Sequence, residues 1–433
     1  FDFRNAECVT VNQRQLVDKM LARYSTKFGG VLRELIQNAD DSGADTVEVH
    51  LQRQGQQVVR MIVGNNGRLF TDEDWHRLTR IAEGNPEEST VGMFGVGFYS
   101  VFSLTERPVV QSGDQILAFK WKQDQLTYAR RSMANRAGHT AVYLDLDKPR
   151  SWDLDEVSAT LQQSILFTKA VSTIRVTCDD APQLEITRRL APPEVVRHDV
   201  LSHVQSEHAM FTASTIQRRR MDVHIQHGSA LPQQVGLRLV EATLKVSADD
   251  EFHSQARHIL KKGLPKTATV GLIYDEDPPE DPPPPVRTHD PRSLSQALLD
   301  FALGIEKVVY GAREGAVPPG KTLSPSEDAG RVYVGMRTSQ TTGGDFHLAA
   351  PFYPTVEREL IDFGNPALRA WNCELLSVAG GISRVHYDSQ MHILQQQATG
   401  NDDPTAINPV AVQLLTAHCL RDTKPERLVG ETL

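Results

Sequence analysis

In the stretch "GGVLRELIQNADDSGA", Glu34, Asn38 and Asp41 fall at i, i+4 and i+7, so a helix through it puts all three on one face. Leu32, Leu35 and Ala39 mark the apolar side. The polar face offers a carboxylate, an amide oxygen and a second carboxylate. Magnesium wants hard oxygens, commonly one or two from protein and the rest from phosphates and water. The Asn38 amide oxygen suits that role, and a carboxylate one turn earlier, Glu34, can orient or deprotonate a water. A plain solvated helix face accounts for the same triplet.

A second stretch, "VGMFGVGFYSV" at residues 91–101, sets Gly92, Gly95 and Gly97 among aromatics. It has neither the GxxxxGK[ST] spacing nor the lysine of a Walker A loop, and it lacks the GxGxxG spacing and βαβ setting of a Rossmann fingerprint. A glycine turn leading into a helix that begins near Phe98 can still hold phosphate through free backbone N–H groups and the helix dipole. It can equally be a tight helix entry. In a third stretch, "VGNNGRLFTDEDW", Asn65, Asn66 and Gly67 end a strand. A side-chain oxygen there can accept from the amino group of a flat base while the glycine avoids a clash. A strand-to-helix turn explains these residues as well.

The surrounding pattern supplies elements to position these groups. "VNQRQLVDKMLARYS" has helical spacing, and the helix carrying Glu34 ends near Gly43. "DTVEVHLQ" and "QVVRMIVG" read as strands. "TDEDWHRLTRIAEG" opens with a capping box, Thr71 to Asp74, and stops at Gly84. From "RPVVQSGDQILAFKW" to "TAVYLDL" the pattern is a β-meander, followed by a helix, "LQQSILF", and a last strand, "STIRVTC". Helices interspersed with an antiparallel run imply an α+β class. A boundary is expected at about residues 180–206, giving a first domain at 1–190 and a second, α/β domain at 191–433. In the second, "TATVGLIYD" and "RVYVGMRT" read as strands, and "SLSQALLDFALG", "PALRAWNCELLSVAG" and "PVAVQLLTAHCL" as helices. The acidic, proline-rich residues 275–291 read as an exposed loop.

Bulk composition narrows the classes. The chain has 433 residues, 39% of them apolar, and a formal net charge of −9. That charge disfavours a protein that wraps duplex nucleic acid. Four cysteines, Cys8, Cys178, Cys373 and Cys419, lie far apart with no CxxC pair. Zinc and disulfide frameworks are therefore unsupported, and a reducing intracellular compartment, cytoplasmic or nuclear, is expected. No apolar run reaches the length of about 18 residues that a membrane span needs. The opening "FDFRNAECVT" carries no Met, which reads as an internal piece of something longer. Arg218, Arg219 and Arg220 suggest either a phosphate patch or a solvated face, and no aromatics interleave for base stacking. His224 and His227 have no companions at metal-ligand spacing.

The stretches "VLRELIQNADD", "NNGRLFT", "VGMFGVGFYSVF" and "GHTAVYL" resemble, in order and spacing, the GHKL ATPase family, with the heat-shock protein 90 branch nearest. The resemblance covers about residues 10–180. It implies a Bergerat-fold two-layer α/β sandwich holding ATP and Mg2+ between helices and sheet. On that resemblance Glu34 is the general base, Asn38 the magnesium ligand, and Asp41 a support on the nucleotide side. Gly92, Phe94, Gly95, Val96, Gly97 and Phe98 line the phosphates. Asn65 and Gly67 stand at the adenine-reading box, and Thr140 near the adenine. Two departures follow: Asn65 replaces the family's Asp and Leu69 its second glycine, so base binding is expected to be weaker or altered. The lid stretch "IAEGNPEESTVG" is also short.

"ELIQNADDSGAD", "FTDEDW" and "VGMFGVGFYSVFSLTERP" look most like the ATPase-like heads of sacsin-type giant proteins. Downstream, "TTGGDFHLAAPFYPTVERELID" and "WNCELL" resemble the region after such heads, with a similar pattern in large fungal proteins of unknown function. "TVERELID" resembles a middle-domain element whose arginine, here Arg358, reaches the terminal phosphate; standing between Glu357 and Glu359, Arg358 also reads as a surface salt-bridge partner. The implied function is a slowly ATP-hydrolysing, chaperone-type head. Its partners would be ATP or ADP and protein clients or other regions of the same chain, with a homo-oligomer compatible and neither nucleic acid nor membrane expected. The alternatives are a degenerate nucleotide-binding scaffold and a DNA-processing clamp of the same superfamily.

Overall fold

Val47, Val49 and Leu51 alternate with Thr46, Glu48 and His50, and this period of two makes β1 (Thr46–Gln54) a strand with one fully buried face. A computed structural model of the chain describes residues 11–21, 28–80, 97–196, 204–260, 263–275, 323, 330–355, 360–399 and 418. Gly84, Gly92, Phe94, Gly95, Val96 and Arg358 lie outside these residues. So do "SLSQALLDFALG", residues 276–291, and all of "PVAVQLLTAHCL" except His418. The chain divides into two units, the first drawn from 1–86, 92–187 and 226–232, the second from 87–91, 188–225 and 233–433.

In the first unit β1 pairs antiparallel with β2 (Gln57–Asn65) and parallel with β7 (Thr173–Cys178). β6 (Thr140–Arg150), β3 (Val109–Ser112), β4 (Gln115–Lys122) and β5 (Gln125–Ser132) follow β2 in order, and β8 (Ala181–Leu190) lies beyond β7. "STIRVTC" is therefore not the last strand of this region. The register lines up Val176, Val49, Val63, Val142 and Val110 across five strands, which makes one face apolar. α2 (Phe28–Asp41) packs on the sheet and on α4 (Leu154–Ile165), whose Thr160 lies so close that a Cβ on Gly29 would be 3.2 Å from its Oγ1. Helices on a mainly antiparallel sheet match the expected α+β class.

One expectation here is corrected and one is met in a shorter form. α3 (Asp72–Leu78) has the capping box between Thr71 and Asp74, but it ends at Leu78 with Thr79 as its cap, well before Gly84. Burial by itself raises the Asp74 carboxyl, and the hydrogen bonds from Arg68 and Thr71 outweigh it, holding the group below the ordinary carboxylate value. The helix expected near Phe98 is present after Gly97 as a six-residue 3-10 helix, Phe98–Ser103. Its i→i+3 bonds, such as Ser100 N–H to Gly97 O at 3.1 Å, stack Tyr99 on Phe102 with centroids 5.9 Å apart. A turn this short contributes little dipole, so any anion binding there falls to the backbone amides.

Asp40 explains how α2 is fixed. Its buried carboxylate accepts from the backbone N–H of Lys169 (2.9 Å), Ala170 (2.8 Å) and Val171 (3.0 Å), just before β7. Asp40→Ala strands those donors and is expected to destabilise the chain by about 3 kcal/mol or more, read as a lowered urea midpoint. Asp40→Asn should recover only part of the loss.

The second unit is built on a long hairpin, β10 (Phe211–His227) and β11 (Gln233–Val246). β12 (Thr267–Asp275), β15 (His347–Ala349), β13 (Arg331–Val334) and β14 (Met336–Thr341) continue the order beyond β11, and β9 (Glu194–Val195) pairs with β10. "RVYVGMRT" is thus two strands, β13 and β14, turning at Gly335 with φ +68°. α5 (Asp250–Leu260) and α6 (Pro366–Thr399) pack together, and Trp371 of α6 stands edge-on to Phe211 at 4.8 Å. No helix among the described residues is long and apolar enough to cross a membrane.

Glu374 of α6 is buried and accepts from Ser206 Oγ, the His208 N–H at 3.1 Å and His208 Nδ1 at 2.7 Å. That hydrogen bond, with the adjacent negative charge, raises the exposed His208 above its ordinary value of 6.5. The pair's stabilisation is therefore fully present below pH 6.5 and is lost as pH rises through the raised native value. A small fall in urea midpoint across that interval is expected for the wild type and not for His208→Ala.

Candidate functional site

Leu32, Leu35, Ile36 and Ala39 are at most 4% exposed and seat α2 on the sheet. The opposite face carries Glu34, half-buried, and Asn38 and Asp41, both exposed. Asp41 Oδ1 accepts from Gln37 Nε2 at 3.2 Å. Gly97 lies directly against Glu34: a Cβ on residue 97 would be 3.0 Å from Glu34 Cδ and would overlap Oε2. The helix face and the last glycine of the loop are therefore in contact. Phe98 packs at 5.9 Å from both Tyr99 and Phe119, so its ring belongs to an aromatic cluster. Tyr99 donates to Leu78 O at 3.1 Å, tying this turn to the end of α3, and burial pushes its phenol up.

Asn65, Thr140 and Ser112 form the end row of the apolar sheet face, adjacent in register across β2, β6 and β3. Asn65 Oδ1 accepts from the Gly67 N–H at 3.1 Å, closing a turn on itself. Gly67 sits where a Cβ would overlap Ser42 Oγ and lie 3.1 Å from Ala44 Cβ, and Arg68 N–H donates to Ser42 O at 2.9 Å. Asn66 points elsewhere: its Oδ1 accepts from the N–H groups of Asp45 and Thr46 at 3.1 Å, and its Nδ2 donates to Asp45 Oδ1. The hydrogen bonds from Thr46 and then Asn66 lower the Asp45 carboxyl.

Sequence reasoning missed Ser112. Its buried hydroxyl is 2.7 Å from Thr140 Oγ1 and accepts from the Phe70 N–H at 2.9 Å. Two hydroxyls bring two protons and share one between them, which leaves one for a further acceptor. A polar residue at an inward position of an otherwise valine-rich row is the signal that could have found it. The arginine run at 218–220 is engaged with carboxylates: Arg218 with Glu194, Arg219 with Glu241 and Arg220 with Asp222.

Comparison with known proteins agrees with parts of this picture. Residues 11–142 match the sacsin domain model. Human sacsin is 37% identical over 118 aligned positions, which cover 23% of this chain and 3% of sacsin. The chain thus spans a very small part of that relative. A solved structure described as the N-terminal domain of a DNA repair protein superposes with TM-score 0.29 and 10% identity, over 48% of this chain and 70% of that one. Similarity at that level carries no weight here. Residues 201–433, more than half of the chain, match the model described as "Protein of unknown function (DUF3684)". With a sacsin-related segment ahead of that region, the chain belongs to the DUF3684 family of proteins of unknown function.

Proposed function

We propose that the first unit is a Bergerat-type, heat-shock protein 90-like ATP-binding head that hydrolyses ATP slowly and acts as the motor of a sacsin-like, chaperone-type protein. The contact between the Glu34 carboxylate and Gly97 carries this reading, because a general base must stand where a phosphate-lining loop ends. The donor set suits the group. The exposed amide of Asn38, one turn along the helix, would hold Mg2+, with Asp41 in support. Gly92, Phe94, Gly95, Val96 and Gly97 would offer backbone amides to the phosphates. When bound, magnesium ATP supplies the phosphoanhydride bond and the charge compensation for its cleavage.

The chain's own residues do the rest. Glu34 takes a proton from water at its carboxylate. Asn65 Oδ1 keeps a lone pair beyond the one given to Gly67 and can accept from an adenine amino group. The remaining proton of the Ser112–Thr140 pair donates to a ring nitrogen. Nucleotide state would then act on protein clients or on other regions of the same chain.

One observation favours a second reading, a nucleotide-binding scaffold without turnover: Asn65 brings no carboxylate, and its oxygen already serves Gly67. Calorimetry with ATP tests both. Magnesium-dependent heat in the wild type, lost in Asn38→Ala, supports the head. ATP binding without phosphate release selects the scaffold, and no heat at all overturns both.

A further inference from the structure

The second unit carries another polar cluster, on the sheet face beneath α6. Antiparallel register sets Arg220, Arg238 and Tyr274 side by side across β10, β11 and β12. Arg218, Val240 and Leu272 form the next row on the same face. Tyr274 identifies what covers them. Its hydroxyl is 3.0 Å from Ser383 Oγ of α6, its ring centroid is 4.7 Å from that of His386, and the His418 ring stacks on it at 5.0 Å. Helical spacing continues that face of α6 from Ser383 through His386 to Gln390.

Arg218 Nη1 and His386 Nδ1 are buried in this layer without a hydrogen-bond partner, and so is Gln390 Nε2, one turn along α6 from His386. Native interiors rarely leave such groups unmatched. The carboxylates beside these arginines are already engaged, Glu194 with Arg218 Nε at 3.1 Å and Asp222 with Arg220 Nε at 3.0 Å. Burial, and then the charges of His418, Arg238 and Arg218, hold His386 well below its ordinary value, so its imidazole is neutral and carries one N–H. A metal ion would face guanidinium repulsion here. Water brings as many protons as lone pairs to a place already rich in donors. An oxyanion supplies acceptors alone and the opposite charge.

We propose that the layer between the Arg218 and Arg238 rows of the sheet and the His386 turn of α6 binds a phosphate-type oxyanion, held by Arg218, His386 and Gln390. This site is independent of the nucleotide reading of the first unit.

Titration of the full chain with inorganic phosphate, followed by phosphorus NMR and by thermal midpoint, tests it. Saturable binding with a raised midpoint is expected. Arg218→Met and Gln390→Leu should each weaken binding by about tenfold or more, as loss of a hydrogen bond to a charged group does. Asn38→Ala should leave it unchanged, which separates this site from the nucleotide site. In protein labelled with nitrogen-15 histidine, the His386 ring signals should move on addition of phosphate. His386→Phe should keep the fold and lose the phosphate-dependent rise in midpoint. If Arg218→Met does not fold, the Gln390→Leu and histidine signals still decide. Absence of saturable binding overturns the proposal, and so does binding that both variants leave intact, an adventitious ion only. Movement of the His386 signals with Zn2+ but not with phosphate overturns it too.

Discussion

Glu34→Ala is expected to bind ATP as tightly as the wild type and to lose turnover by about a hundred- to ten-thousandfold, the usual contribution of a positioned base. The carboxylate stands half-buried on α2, against the main chain of Gly97, and not among the apolar side chains that seat the helix. Removing it deletes a proton acceptor and leaves Leu32, Leu35 and Ala39 in place. Asn38→Ala should give the opposite pattern, weakened magnesium-dependent binding and turnover lost with it. Steady-state phosphate release beside binding calorimetry separates the two. A Glu34→Ala protein that turns over at the wild-type rate removes the base from α2.

Gly97→Ala is expected to be nearly as damaging, for a steric reason. A methyl at residue 97 would overlap Glu34 Oε2 and lie 3.0 Å from Cδ, so the carboxylate or the loop must shift. The overpacking should cost about 1–3 kcal/mol in stability, and turnover should fall with the displaced base. Combining Gly97→Ala with Glu34→Ala removes the clash, so the double variant should regain stability without regaining activity. The coupling between the two should be about 0.5–3 kcal/mol, as for residues in contact. Additive stabilities would show that the two do not touch in solution.

The elements nearest the candidate site were the most legible in the sequence. Thr71 and Asp74 announced the start of α3 because a capping box is local chemistry. Its end was not legible: Tyr99, far along the chain, bonds Leu78 O at the helix terminus. The long β10 was missed because its buried positions change parity, from Ile216 to Met221, Val223 and Ile225, so no single period of two runs through it. Asp40 looked like one more acid in "NADD", and only the fold brings Lys169, Ala170 and Val171 to it. The sandwiching of Asn65 between its own turn and Thr140 was hidden likewise, since strand register is set by partners remote in the chain.

The parallel pairing of β1 with β7 has a consequence for biosynthesis. Thr46 of β1 meets Thr173 of β7, so the inner strand waits for a neighbour made 127 residues later. At ribosomal speeds of about 5–20 residues per second, that interval lasts roughly 6–25 s. Throughout it, Val47, Val49 and Leu51 sit on a strand with one open flank, a surface prone to mispairing between nascent chains. Slowed or stalled translation between these two points should therefore raise the aggregated fraction more than a stall after Cys178.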